Sequence, residues 1–352
     1  MSKVDNIEEV DKESIDYSTC KPRDRLYIVY IIFFIAGVGT LLPWNFFITA
    51  TDYFNLRLAS NSSGRAPGLL PFDNSLTLCS MIPLSVFGIL NFALMRWIPT
   101  FTRFLIGSII VFAMFVVTTV MVRIDMDLEV FNGLTLASIV FINIGSAIAQ
   151  TALFGMVSVL PAKNMKGFVE GQAISGVLSS LARIISIAAA SNWNDDALAY
   201  FLIALVFLAI SIVLTLLLKK NAFFKYYWKM EKNMRQHGET TPSSSSGDMP
   251  HSSTEMVTKE SDAKTILFNL GISMRETWVH GVCIIFTFGV TLTVFPPFTA
   301  TVRPMNYRAG DEWTDKYFIP VVVFLSYNVF DWLGRFLAGF IKWVSWYFKC
   351  LR

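Results

Sequence analysis

Two oppositely charged side chains interrupt the last long apolar stretch of the sequence. Asp331 and Arg335 lie four residues apart within it, which places both on one face of a helix. Either charge alone at a bilayer centre costs roughly 2.5–3.5 kcal/mol on insertion scales, so the two should pair and face protein or water. The pair could simply fix helix packing, or it could bind the vicinal hydroxyls of a sugar. Asn328, one turn earlier, could extend the same polar face.

Polar and aromatic residues also interrupt two earlier apolar stretches. Gln150 ends a run of small residues, and its amide suits the edge of a nucleobase, with hydrogen bonding between helices as the alternative. Pro43 removes a backbone hydrogen bond from the first stretch, which predicts a kinked or broken helix. Trp44 follows directly and is predicted to line a cavity, with anchoring at the membrane interface as the alternative.

The remaining interruptions favour packing over ligand binding. Gly171 and Gly176 predict notches where another helix approaches closely. Met81, next to a kink predicted at Pro83, offers a soft surface for a flat ring or simply fills space.

The sequence contains no Walker loop, zinc-hydrolase motif, nucleophile elbow or cysteine pair with metal spacing. We therefore expect a protein that is not an enzyme and uses no cofactor, metal or ATP.

Composition indicates that membrane helices must position these residues. Hydrophobic residues make up 54% of the 352-residue chain and charged residues only 16%, against about 25% charged residues in ordinary soluble domains. The net charge of +3 is small and its cations are dispersed, so nucleic acid is not an expected partner. About 20 apolar residues cross a bilayer. Eight stretches qualify, at about 27–50, 75–97, 104–122, 134–160, 168–190, 198–218, 278–301 and 317–341.

Lysine and arginine collect on one side of this predicted topology. Placing the N-terminus in the cytosol puts clusters such as Lys219 and Lys220 there as well, as the positive-inside rule requires. The N-x-S/T sequon at Asn61 then falls in the first outer loop, where glycans are added. The sequence therefore predicts an integral membrane glycoprotein with both termini in the cytosol.

The spans are distributed unequally along the chain. We expect a cytosolic tail at 1–26, a six-helix bundle at 27–218, a largely disordered cytosolic linker at 219–277, two further helices at 278–341 and a cytosolic tail at 342–352. Six spans joined by a linker to a second bundle is the plan of major-facilitator-type carriers. The predicted fold class is thus an all-α, polytopic transmembrane protein, a major-facilitator-like bundle of six spans plus a partial second bundle of two.

Two stretches closely resemble the equilibrative nucleoside transporters, facilitative carriers of nucleosides and some nucleobases. They are GxGTLLPWNFFITA at 37–50 and NxxDWxGR at 328–335, and the resemblance extends from about 23 to 340. It implies a major-facilitator-like fold, a cytosolic N-terminus, a glycosylated first outer loop and a long cytosolic loop after the sixth span. It also implies eleven spans, so the chain looks truncated after the eighth.

The resemblance assigns roles to individual residues. Gln150 would contact the base, Arg335 the ribose hydroxyls, and Asp331 would hold or share that contact. The resemblance implies that a glutamine at position 150 indicates the broad-specificity type of the family, which resides in the plasma membrane. The apolar lining of the nucleoside site would comprise Trp44, Leu41, Met81 and Leu84. The expected structural or gating residues are Asn45, Arg103, Gly171, Gly176 and Asn328.

Three functions stay open at this point. The first is facilitative transport of nucleosides such as adenosine and uridine, with nucleobases as further candidates, by alternating access across the bilayer. The second is a truncated, non-transporting form that regulates or pairs with a full-length carrier. The third is transport of another polar or cationic solute, because a fold does not determine its substrate.

Overall fold

A computed structural model describes residues 22, 24–60, 72–95, 97–189, 193–238, 254–295, 298–308 and 310–338. Within these ranges, eight helices are long and apolar enough to cross a membrane, which confirms the predicted number of spans. We call them the first to eighth spans. In chain order they are Arg25–Thr49, Asn74–Asn91, Thr100–Met121, Leu128–Ser158, Ala162–Ala189, Asp195–Lys220, Thr277–Val294 and Glu312–Leu337.

The two prolines inside spans do not interrupt their helices. The first span runs unbroken through Pro43 from Ile28 to Thr49, so the helix is not broken there, and the other expectation, a kink, stays a prediction. A proline removes only one hydrogen bond of the ladder, and neighbouring helices can stabilise the continuous form. Pro83 likewise lies inside an unbroken helix, Phe72–Leu94.

The last two spans begin or end away from their predicted bounds. The helix of the seventh span ends at Val294, seven residues before the predicted end at 301. Pro296 and Pro297 follow in the sequence, and proline disfavours a continuing helix. The eighth span starts earlier than predicted, with wide π-helical turns at Glu312–Tyr317 and Ile319–Leu325 before the α-helix Ser326–Ala338.

Both ends of the segment between the sixth and seventh spans are helical. Helices occupy Ala222–Gly238 and Thr254–Val294, so the segment contains more helix than the predicted linker. Aromatic spacing explains the first of these, since Phe223, Phe224 and Tyr227 are buried in the core of the bundle. The part of the predicted disordered linker at 239–253 lies outside the described residues.

The first span is central to the six-helix bundle. It packs against the fourth, fifth and sixth spans, and the third packs closely against the fourth. Glycines make these crossings close: a Cβ on Gly37 would lie 3.0 Å from the carbonyl carbon of Phe168, and one on Gly171 would lie 2.8 Å from that of Phe34. A larger residue at either position would push the first and fifth spans apart.

Residues 234–302 form a second compact unit, separate from the unit that contains the other seven spans. Its spanning helix, Thr277–Val294, exposes large apolar side chains such as Trp278, Ile285 and Phe286. A helix that is apolar and exposed along its length suits a lipid environment.

Candidate functional site

The charged pair predicted in the eighth span forms and is partly exposed. The Nε and Nη2 atoms of Arg335 lie 3.1 Å and 3.0 Å from one carboxylate oxygen, Oδ2 of Asp331. Among the described residues, no hydrogen bond uses Oδ1 of Asp331 or Nη1 of Arg335. The side chains are 33% and 32% exposed. An acceptor and a donor on one helix face are therefore available to two adjacent hydroxyl groups.

Asn328 has a different position from the charged pair. Its side chain is 7% exposed, and its Nδ2 donates to Oγ of Ser180 at 3.1 Å and to the carbonyl of Phe324 at 2.9 Å. A Cβ on Gly176 would lie 2.6 Å from Cγ of Asn328 and would overlap its amide oxygen. Gly176 is therefore the notch that lets Asn328 bond the fifth span to the eighth.

The fifth span is bonded to the first by the same amide–hydroxyl chemistry. Nδ2 of Asn45 donates to Oγ of Ser175 at 2.8 Å, and Nε2 of Gln172 donates to Oγ1 of Thr40 at 3.2 Å. The role of Gln172 was not predicted from the sequence, although Gln172 directly follows Gly171, where a close approach between helices was expected. Asn45, Gly176 and Asn328 are thus brought together along the fifth span.

The predicted contact for the base is half-buried. The side chain of Gln150 makes no hydrogen bond with any other residue in the described ranges, so its amide can both donate to and accept from a solute. Trp44 is also half-buried and stacks on no ring among the described side chains. The other predicted lining residues, Leu41, Met81 and Leu84, are half-buried as well. Half-buried side chains such as these can line a path for a solute without being part of the hydrophobic core.

Arg103 is bonded within the six-helix bundle. The residue is 2% exposed, and its guanidinium donates to Oδ1 of Asn91 at 3.1 Å and to Oγ1 of Thr100 at 3.4 Å. Asn91 in turn donates to the carbonyl of Ile148 at 3.3 Å and to the hydroxyl of Thr151. These bonds connect the second, third and fourth spans next to Gln150. The gating role implied by the resemblance stays a prediction.

A second intramembrane ion pair was missed from the sequence. Nη1 of Arg183 lies 2.6 Å from Oδ2 of Asp196, with side chains only 7% and 12% exposed. The guanidinium carbon of Arg183 is 5.9 Å from the ring centre of Tyr200, whose hydroxyl donates to the carbonyl of Phe46 at 3.2 Å. A lone arginine inside the fifth apolar stretch was the available signal. The pair joins the fifth and sixth spans.

A small cavity lies inside the bundle and is too small for a metabolite. Its volume is about 30 Å³, whereas pockets for organic ligands measure about 300–1,000 Å³. Hydroxyl groups on its wall come from the first, third, fourth and sixth spans: Thr40, Ser108, Ser146 and Ser211. A space of this size and polarity suits water. A larger solute does not fit in this cavity.

The fold and site together define an integral membrane protein with an accessible polar pair and an unpaired amide in its spans. The family model described as "Nucleoside transporter" matches residues 136–350. Equilibrative nucleoside transporter 1 of Homo sapiens is 34% identical over 357 residues, covering 92% of this chain and 76% of the relative. Equilibrative nucleoside transporter 2 of Mus musculus is 34% identical with the same coverage, and equilibrative nucleoside transporter 3 of Rattus norvegicus is 34% identical, covering 92% and 69%.

These similarities extend over nearly the whole chain and include the eighth span with its charged pair. The chain belongs to the equilibrative nucleoside transporter family.

Proposed function

We propose that this protein carries nucleosides such as adenosine and uridine down their gradient across a membrane by alternating access. The observation that supports this most is its similarity to three equilibrative nucleoside transporters over 92% of the chain. That similarity does not favour the alternative of a non-transporting regulator. Downhill transport needs no chemical step, in keeping with a family of carriers and not of enzymes.

The substrate is held by two polar contacts separated by apolar surface. Arg335 donates to the ribose hydroxyls through Nη1, while Oδ1 of Asp331 accepts from them, since their mutual bonds leave both atoms free among the described residues. Gln150 reads the edge of the base. The flat base lies against an apolar lining formed by Trp44, Leu41, Met81 and Leu84.

The fifth span links the halves of the carrier during the transport cycle. Its bonds to Asn45 in the first span and to Asn328 in the eighth are direct side-chain contacts, the second made possible by Gly176. Movement of the eighth span therefore repacks this crossing. Arg103 keeps the second, third and fourth spans together beside Gln150 and acts as a gating residue.

The protein resides in the plasma membrane with its N-terminus in the cytosol. The distribution of lysine and arginine supports this orientation. Asn61, which lies outside the described residues, is then glycosylated in the first outer loop.

Uptake of radiolabelled uridine by cells without endogenous nucleoside transport tests this proposal. We expect Arg335→Ala to lower uptake efficiency by roughly 10- to 150-fold, because it removes a hydrogen bond to a charged group, worth about 1.5–3 kcal/mol. Gln150→Ala should lower uptake efficiency by less, because its amide is neutral. The matched control is Arg123→Ala, which removes the exposed ion pair with Asp195, formed at 2.7 Å. Its uptake should equal wild type.

Surface biotinylation accompanies each uptake measurement, so that loss of transport is separated from loss of protein. Normal uptake by Arg335→Ala at normal surface level would disprove the assigned sugar contact. Uptake of a monoamine but not of uridine by the unchanged chain would disprove the substrate class.

A further inference from the structure

An apolar groove lies between the first and sixth spans and ends at a basic residue. Its volume is about 390 Å³. Ile28, Ile31, Leu214 and Leu217 form its wall, and Lys220 and Asn221 lie at its end. Because both walls belong to membrane-spanning helices and Ile31 is 48% exposed, the groove faces the hydrocarbon of the bilayer. A lipid acyl chain is the occupant that this environment supplies.

The turn that carries Lys220 is held in place on both sides. Leu218, two residues earlier, is fully buried, and its carbonyl accepts a bond from the backbone N–H of Asn221 at 3.0 Å. The side-chain oxygen of Asn221 accepts from the backbone N–H groups of Phe223 and Phe224 at 2.9 Å and 3.3 Å, which caps the following helix. The lysine therefore projects from a fixed point where the apolar groove ends.

Lysines are clustered along the chain where the groove ends, and Lys220 is the one that lines it. Lys219, Lys220 and Lys225 are all exposed, and none of them forms an ion pair with a carboxylate in the described part of the chain. Nζ of Lys219, the neighbouring residue, lies 4.8 Å from the ring centre of Phe101 in the third span. Clusters of lysine at the cytosolic ends of spans attract anionic headgroups, which are concentrated in that leaflet.

We propose that this groove is a binding site for an anionic phospholipid. One acyl chain lies along Ile31 and Leu217, and the phosphate is bound by Lys220. The groove joins the first and sixth spans, so the bound lipid stabilises the six-helix bundle. None of the residues that line the groove is among the proposed nucleoside contacts.

Thermal unfolding of the purified full chain in detergent tests this site, with added phosphatidylserine or phosphatidylcholine. We expect phosphatidylserine to raise the midpoint and phosphatidylcholine to have little effect. Lys220→Gln should weaken the apparent affinity for phosphatidylserine about fivefold, the effect of one basic residue at a membrane surface. Lys316→Gln is the matched control, because Lys316 is an exposed lysine at the other end of the spans, and it should bind like wild type.

Leu217→Trp tests the acyl part of the site separately, because it fills the groove and keeps Lys220. It should reduce the stabilisation that phosphatidylserine provides. Native mass spectrometry of the same proteins counts bound lipids directly, so the test survives a change in intrinsic stability. Equal stabilisation by both lipids, or unchanged binding by Lys220→Gln, would overturn the proposal. Neither result would alter the uridine uptake expected of the wild-type chain.

Discussion

Replacing glycines of the fifth span by alanine tests how closely this span approaches its neighbours. A Cβ on Gly171 would meet the backbone of Phe34, 2.8 Å from its carbonyl carbon. A Cβ on Gly176 would instead overlap the side-chain end of Asn328. Gly133, in the fourth span, has no atom within 4 Å of the added Cβ and serves as the matched control.

The kind of atom that is met determines the expected cost. The backbone of Phe34 cannot rotate away, so Gly171→Ala must separate two helices, and we expect a loss of about 3 kcal/mol or more. The amide of Asn328 can rotate, but it then gives up its bonds to Ser180 and Phe324, at a cost of about 1–3 kcal/mol for a buried group without a partner. Gly133→Ala should be neutral or stabilise by up to about 1 kcal/mol, since alanine favours helix.

Thermal unfolding in detergent should therefore rank Gly133→Ala at or above wild type, then Gly176→Ala, then Gly171→Ala. Combining Gly176→Ala with Asn328→Ala should cost less than the sum of the two single changes, because the steric conflict disappears with the larger side chain. Identical midpoints for all three alanine variants would refute the close crossings. Strict additivity in the double variant would refute the contact between Gly176 and Asn328.

Two further changes have clear expected results. Arg183→Ala leaves Asp196 buried without its partner at 2.6 Å and should destabilise the protein by about 3–5 kcal/mol in thermal unfolding. The double change Arg183→Met with Asp196→Leu should recover most of this stability. A single variant as stable as wild type would contradict the buried pair. Asn61→Gln should remove the glycosidase-sensitive mobility shift on a gel, and a shift that persists would contradict glycosylation at this residue.

The sequence predicted the membrane helices well because the requirement behind them is local. Every backbone polar group in hydrocarbon must bond within its own segment, so 20 or so apolar residues predict a helix wherever they occur. The i,i+4 pair of Asp331 and Arg335 was predictable for the same reason, since one helix contains both charges. Gly171 and Gly176 were correctly interpreted as notches, because small residues in a span rarely have another use.

Features that depend on two helices were harder to predict. The partner of Arg183 is 13 residues away, in the next span, and nothing in the local pattern selects Asp196 over the neighbouring Asp195. Gln172 and Ser180 likewise acquire their roles from residues more than 100 positions distant. The helix at Ala222–Gly238 was taken for linker because its aromatic side chains gain stability only when they are buried against the bundle.

Protection of an introduced cysteine by substrate tests the central claim most directly. Met81→Cys, in a background whose 4 native cysteines are serine, places a thiol in the proposed lining without altering Gln150, Asp331 or Arg335. Uridine should slow its modification by a small charged methanethiosulfonate reagent several-fold, and Arg335→Ala should abolish this protection. A modification rate that is the same with and without uridine, in a protein that still takes uridine up, would contradict the proposed site.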